Sequence, residues 1–175
     1  MNREILAIAK QIRLVILDVD GVLTNGDLFF FESGEYKAFN ARDGLGMALL
    51  VKAGIEIAVI SGNRSESVER RLKKFGVTHI YQGIEDKTVA YQQIKAAMDI
   101  DDKTVAYMGD DLIDLPVMKR VGLPAAVANA DDFVKQHSLW VSRALGGKGA
   151  VRELCELILS AKDLLDDYRR EFCSL

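Results

Sequence analysis

Asp18 and Asp20 stand two positions apart directly after the apolar run LVIL (14–17). Asp110 and Asp111 follow a second such run, 104–108, with Asp114 one turn further on. Carboxylates gathered at the mouth of one sheet repel one another strongly at low dielectric. Solvated acids would be scattered, so a cation held among them best explains the gathering. The chain's only histidines are His79 and His137, and all-oxygen ligation favours a hard ion, Mg2+, over zinc. Such an ion takes one or two carboxylates and keeps waters, which leaves room for a phosphate. Ser61-Gly62-Asn63 ends another apolar run and is expected to open a helix. Its hydroxyl, backbone amides and helix N-terminus would form an anion site. Lys87 begins a further helical stretch and can supply a point charge to phosphoryl oxygens. Taken singly, a Ser-Gly after a strand also reads as a cap, and a lysine as a solvated surface residue. The ordered set of Asp-x-Asp, Ser, Lys and Asp-Asp is more specific.

The elements that must position these residues follow from patterning. Runs at 14–17, 55–60, 104–108 and 125–128 suit strands of a parallel sheet covered on both faces. Helical stretches are expected at 43–53, closing at Gly54, and after Asn63 or Ser65, with Val68, Leu72 and Phe75 inward. Others are expected at 85–98 (Val89, Ile94 and Met98 inward), 112–121 and, as one long amphipathic helix, 149–168. The alternation predicts an α/β fold with a doubly wound, mostly parallel sheet, in which ligands bind at the strands' carboxyl ends. One segment departs from it. Residues 27–31 and 36–39 flank Glu32-Ser33-Gly34-Glu35, the pattern of a β-hairpin. At least one of Phe29, Phe30 and Phe31 must then point away from its own core, so the hairpin is expected to pack on other subunits. The chain reads as one domain over 1–175, with hairpin 27–39 and a C-terminal helix and tail 149–175. Neither the interval from Asp18 to Ser61 nor that from Ser61 to Lys87 has room for a cap domain.

Composition narrows the function classes. With 23 Lys+Arg against 26 Asp+Glu, the chain of 175 residues carries a net charge of −3, without the broad basic surface that nucleic-acid binding needs. Half of the residues are hydrophobic (49%), which excludes bulk disorder, yet no run approaches the ~18 residues of a membrane span. The segment MNREILAIAKQ lacks the uninterrupted apolar stretch of a secretory signal. Cys155 and Cys173 read as reduced thiols.

The motifs together resemble those of the haloacid dehalogenase-like phosphatases. Asp18-Val19-Asp20-Gly21-Val22-Leu23-Thr24 (DxDGxxT) is similar to that family's first motif, Ser61 to its second, Lys87 to its third, and Gly109-Asp110-Asp111 with Asp114 to its fourth. The resemblance implies a covalent mechanism. Asp18 would be the nucleophile that forms an aspartyl phosphate, and Asp20 the general acid and then the base. Mg2+ would be held by Asp18, the backbone carbonyl of Asp20 and Asp110. Ser61 and Lys87 would hold the transferring oxygens, while Asp111 and Asp114 would orient metal waters or Lys87. An alkoxide leaving group needs a proton and a halide does not, so Asp20 favours phosphoryl chemistry over dehalogenation.

The finer pattern resembles the capless 3-deoxy-D-manno-octulosonate 8-phosphate phosphatases. It is carried by the hairpin, Phe39-Asn40-Ala41-Arg42-Asp43-Gly44, Ser61-Gly62-Asn63-Arg64-Ser65 and Gly146-Gly147-Lys148-Gly149-Ala150-Val151-Arg152-Glu153. That resemblance implies a homotetramer assembled through the hairpins, a C-terminal tail able to reach a neighbouring site, and a cytoplasmic role in lipopolysaccharide precursor synthesis. Arg42 and Arg64 become candidates for gripping the sugar acid's carboxylate or phosphate. Lys148 stands where many relatives carry an arginine. Each of these three cations also reads as solvent-facing or structural. Competing readings are a phosphatase for a nonulosonate 9-phosphate or another sugar phosphate, a non-catalytic oligomerisation module, and a phospho-receiver domain. The last places its phosphorylated Asp after the third strand, an order this chain does not follow.

Overall fold

The computed structural model describes residues 2–32 and 34–174; Met1, Leu175 and Ser33 of the expected hairpin loop lie outside them. In chain order the elements are α1 (Arg3–Gln11), β1 (Leu14–Leu17), β2 (Phe29–Phe31), β3 (Gly34–Tyr36), α2 (Ala41–Lys52), β4 (Glu56–Ser61), α3 (Glu66–Lys73), β5 (His79–Gln82), α4 (Lys87–Met98), β6 (Val105–Gly109), α5 (Leu115–Met118), β7 (Leu123–Ala126), α6 (Asp132–Gln136), β8 (Trp140–Val141), α7 (Ala150–Ala161) and α8 (Leu165–Cys173).

Six strands form one parallel sheet in the order β5-β4-β1-β6-β7-β8. The chain leaves β1 toward β4 and β5, then crosses to β6 and runs outward through β7 and β8. The order therefore reverses at β1, and the crevice at a parallel sheet's carboxyl ends opens there. Right-handed crossovers put the helices of the two directions on opposite faces; α1 and α2 both pack against α7, and α4 against α5. With both faces covered, every residue of β1 is buried, which is why LVIL is continuously apolar rather than alternating. Among the described residues, no helix is long and apolar enough to cross a membrane.

Several elements differ from the patterns in the sequence. Val89 is 52% exposed; the inward stripe of α4 is Lys87, Ala90, Tyr91 and Ile94, so a buried lysine takes a position that apolar periodicity assigns to hydrocarbon. The expected helix 149–168 breaks into α7 and α8 at Asp163, whose φ of 61° lies in the left-handed region. The stretch 112–121 holds only a 3-10 turn, Leu112–Asp114, and the four-residue α5. The last long apolar run pairs two residues earlier than expected and includes Pro124. That proline is tolerated because it faces the short edge strand, where its carbonyl accepts from Leu139 N–H at 2.9 Å. The hairpin forms with paired segments of three residues each, but its second strand, Gly34–Tyr36, starts inside the expected loop 32–35 and ends at the first residue of the expected strand 36–39. Within this chain Phe29, Phe30 and Phe31 are all exposed, Phe30 by 73%.

Candidate active site

β1, β4 and β6 are neighbours in register, with Leu17 opposite both Val59 and Met108. Asp18 and Asp110, and Ser61 at the end of β4, therefore arrive at one edge. Past Asp18, whose N–H still donates to Met108 O at 3.1 Å, the chain turns tightly through Val19–Leu23. Thr24 orders this turn: its hydroxyl donates to Val19 O (3.3 Å) and accepts from Gly21 N–H (3.4 Å) and Gly26 N–H (3.2 Å). Gly21 has φ of 91°, and a Cβ there would fall 2.0 Å from Asp110 Oδ2. Only glycine lets the two acidic loops approach so closely.

Lys87, the first residue of α4, is 3% exposed. Its ammonium donates to Asp18 Oδ1 at 2.5 Å and to Asp114 Oδ1 at 2.6 Å. Asp114, fully buried, also accepts at Oδ1 from the Tyr107 hydroxyl (2.7 Å), and at Oδ2 from the N–H groups of Asp110 (2.9 Å) and Asp111 (3.3 Å). Oxygens of Asp18, Asp110 and Asp114 lie within 4.8 Å of one another. Burial pushes the Asp18 carboxyl up to about 7 against the pull of Lys87. Burial, with the charges of Asp18, Asp114 and Asp111, pushes Asp110 up to about 7 as well. Burial works against the Lys87 ammonium, but Asp18 and Asp114 outweigh it and leave its pKa raised. Three carboxylates thus face one ammonium, and a divalent cation matches the surplus of negative charge. Both oxygens of Asp114 already serve protein donors, so the residues that fit an ion are Asp18 and Asp110.

The remaining expected site residues are placed as follows. Ser61 is buried; its Oγ accepts from Asn63 N–H at 3.2 Å. The helix after it begins only at Glu66, with Ser65 as its N-cap. The expected helix-terminus anion site at Ser61-Gly62-Asn63 is thus replaced by a turn. Gly62 is exposed in that turn. The Asn63 side-chain amide donates to Asp20 Oδ2 at 3.0 Å. Asp111 is exposed and caps the 3-10 turn, accepting from Leu112 N–H at 2.7 Å, so it does not reach Lys87. Arg64 lies along Gly83 and lines a cavity with Glu35, Tyr36 and Arg70. Lys148 lines a different cavity of about 580 Å3 with Asn25, Phe29, Phe39, Asn40 and Gly147. Arg42 is exposed in the first turn of α2, one residue beyond that cavity's edge at Ala41. One residue of the site escapes motif reading altogether. Lys37, just past β3, has a side chain 1% exposed and donates to Asp20 Oδ1 at 2.5 Å. Its signal in the sequence is strand alternation, which sets Glu35 and Lys37 on one face and Tyr36 on the other.

A family model described as haloacid dehalogenase-like hydrolase matches residues 73–149. The 3-deoxy-D-manno-octulosonate 8-phosphate phosphatase KdsC of Yersinia pestis is 48% identical over 159 residues, 90% of this chain and 85% of its own. The chain belongs to this phosphatase family. The KdsC of Escherichia coli K12 is 45% identical over 168 residues, covering 95% and 89% of the two chains. The crystal structure of the family member from Moraxella catarrhalis, in complex with magnesium ion, phosphate ion and KDO, superposes with a TM-score of 0.95 at 39% identity, covering 98% of this chain and 99% of that one. The capless α/β architecture is that of these KdsC phosphatases.

Proposed function

We propose that this chain is a Mg2+-dependent phosphomonoesterase that hydrolyses 3-deoxy-D-manno-octulosonate 8-phosphate to the free sugar acid and phosphate. The observation that carries the reading is the buried triad Asp18–Lys87–Asp114 beside an unshared Asp110 carboxylate, in a chain 48% identical to a phosphatase of that substrate. Asp18 and Asp110, with the backbone carbonyl of Asp20, would hold the ion. Bound there, Mg2+ offsets the negative charge of the phosphate, so that an anionic carboxylate can approach it.

A carboxylate oxygen of Asp18 attacks phosphorus, and the bond from phosphorus to the sugar oxygen breaks. The leaving alkoxide takes a proton from Asp20. Asp20, now a carboxylate, removes a proton from water, which attacks phosphorus and releases phosphate from Asp18. Lys87 keeps Asp18 aimed and faces the transferring oxygens with Ser61. Asp114 holds Lys87, and burial with the neighbouring Asp114 charge keeps the Tyr107 hydroxyl protonated as a donor to Asp114. Arg42 and Arg64 are candidates for gripping the sugar acid's carboxylate or phosphate, and Lys148 for a further contact to the substrate. Gly62 and Asn63 form the turn between Ser61 and Asp20.

Assembly through the hairpin, as a homotetramer, belongs to the same reading. Leu28, Phe29, Phe30, Phe31 and Tyr36 form an exposed apolar patch on one short hairpin. With this substrate the enzyme would serve lipopolysaccharide precursor synthesis in the cytoplasm. The test is magnesium-dependent phosphate release from the octulosonate ester against a panel of six- to nine-carbon sugar phosphates, with Asp18→Asn as control. The octulosonate ester should have the highest kcat/KM, and Asp18→Asn should fold and release nothing. A nonulosonate 9-phosphate turned over faster would reassign the substrate, and full activity in Asp18→Asn would remove it as nucleophile.

A further inference from the structure

We infer that the hairpin pair Glu35–Lys37 positions the acid–base carboxylate Asp20: Lys37 holds one of its oxygens, and Glu35 holds Lys37 in place. The inference rests on reading Asp20 as the acid–base group. Lys37 is not a solvated hairpin lysine. Its side chain is withdrawn from solvent, and its ammonium faces two carboxylates, Asp20 Oδ1 at 2.5 Å and Glu35 Oε1 at 2.6 Å. Burial alone would weaken its charge, but the bonds to Asp20 and Glu35 more than restore it.

The other Asp20 oxygen accepts from the Asn63 amide, so both oxygens are held and the carboxylate has one orientation. Orientation of this kind is what an acid–base group needs to meet the leaving oxygen and later the water. Glu35 Oε1, itself withdrawn from solvent, stands 2.6 Å from the same ammonium and anchors it beside Asp20. Lys37 acts through Asp20 and not on the phosphate.

Leaving-group dependence separates this role from phosphate binding or folding. An alkoxide requires the proton from Asp20; p-nitrophenolate leaves without it. Because kcat/KM reports the step up to the first departure, it is measured for the octulosonate ester and for p-nitrophenyl phosphate in Lys37→Met, Lys37→Arg, Glu35→Gln and Asp20→Asn. Lys37→Met should lose roughly tenfold to a hundredfold on the sugar ester and less than about threefold on the aryl ester. Lys37→Arg should recover part of the loss, and Glu35→Gln should show a smaller loss with the same split. Equal losses on both esters, no loss on either, or a raised KM at unchanged kcat would each overturn the role. If circular dichroism shows Lys37→Met unfolded, the split in Lys37→Arg and Glu35→Gln decides alone. Asp20→Asn losing equally on both esters would remove the acid reading itself; Asp20→Asn splitting the esters while the Lys37 variants do not would remove only Lys37.

Discussion

Asp114 commits both of its oxygens to protein donors, which leaves Asp18 and Asp110 to meet a cation, and both are held near 7 in the ion-free protein. The sign of the resulting pH effect follows from the direction of these shifts. An Asp whose folded-state value is raised costs nothing below its unfolded value near ~4, and lowers stability as pH rises through about 7. Divalent ions bind the ionised form, so their stabilisation grows over the same interval. The Tm increment from saturating MgCl2 should therefore be larger near pH ~8 than near pH ~6, with protons released on binding at the lower pH. Equal increments would mean that these two carboxylates are not the ligands. At this scale the sequence is informative where a motif fixes a spacing: Asp18, Asp20, Lys87 and Asp110 all stand at element ends. It does not single out Lys37: alternation sets that residue on one face with Glu35, but a lysine in a hairpin has the same one-dimensional appearance whether it is solvated or folded under onto a carboxylate.

Elements are legible where hydrophobic periodicity is unbroken, as in β1, β4 and α2, and misread where a local backbone event intervenes. Asp163 ends α7 in a left-handed conformation that no apolar pattern signals, and Val121, which the pattern joins to a helix from 112, belongs to the approach to β7. Val89 misleads because the stripe's buried position belongs to Lys87, which chemistry and not hydropathy drives inward. The loop before α7 is an element of the site in its own right. Gly147 N–H donates to Val22 O at 2.9 Å, Asn129 Oδ1 accepts from Gly146 N–H at 2.8 Å, and a Cβ on Gly146 would fall 1.6 Å from Gly21 O. Gly146→Ala must therefore displace one loop or the other. It should cost about 1–3 kcal/mol in urea unfolding, as overpacking does, and lower kcat more than tenfold at about 1 Å of displacement. Near-native activity and stability would show that the two loops do not constrain each other.

Across the molecule, one sheet edge collects the chemistry while the hairpin carries the exposed apolar surface, Phe30 at 73% and Phe31 at 62%. If copies of the chain cover that surface, Phe30→Glu should shift light scattering toward the monomer with circular dichroism unchanged. An unchanged assembly mass, or a wild-type protein already monomeric at micromolar concentration, would place the hairpin outside the interface. The order of strands is readable from the alternation of helix and strand, but the assembly is not, since exposed aromatics name no partner. Asp114 joins the start of α4 to the end of β1 through Lys87, and secures β6 through Tyr107 and two backbone amides, all by bonds within the protein. Removing Asp114 would strip an acceptor from Lys87, Tyr107 and two backbone amides at once, so a single carboxylate ties the shape of the pocket to the cohesion of the sheet beneath it.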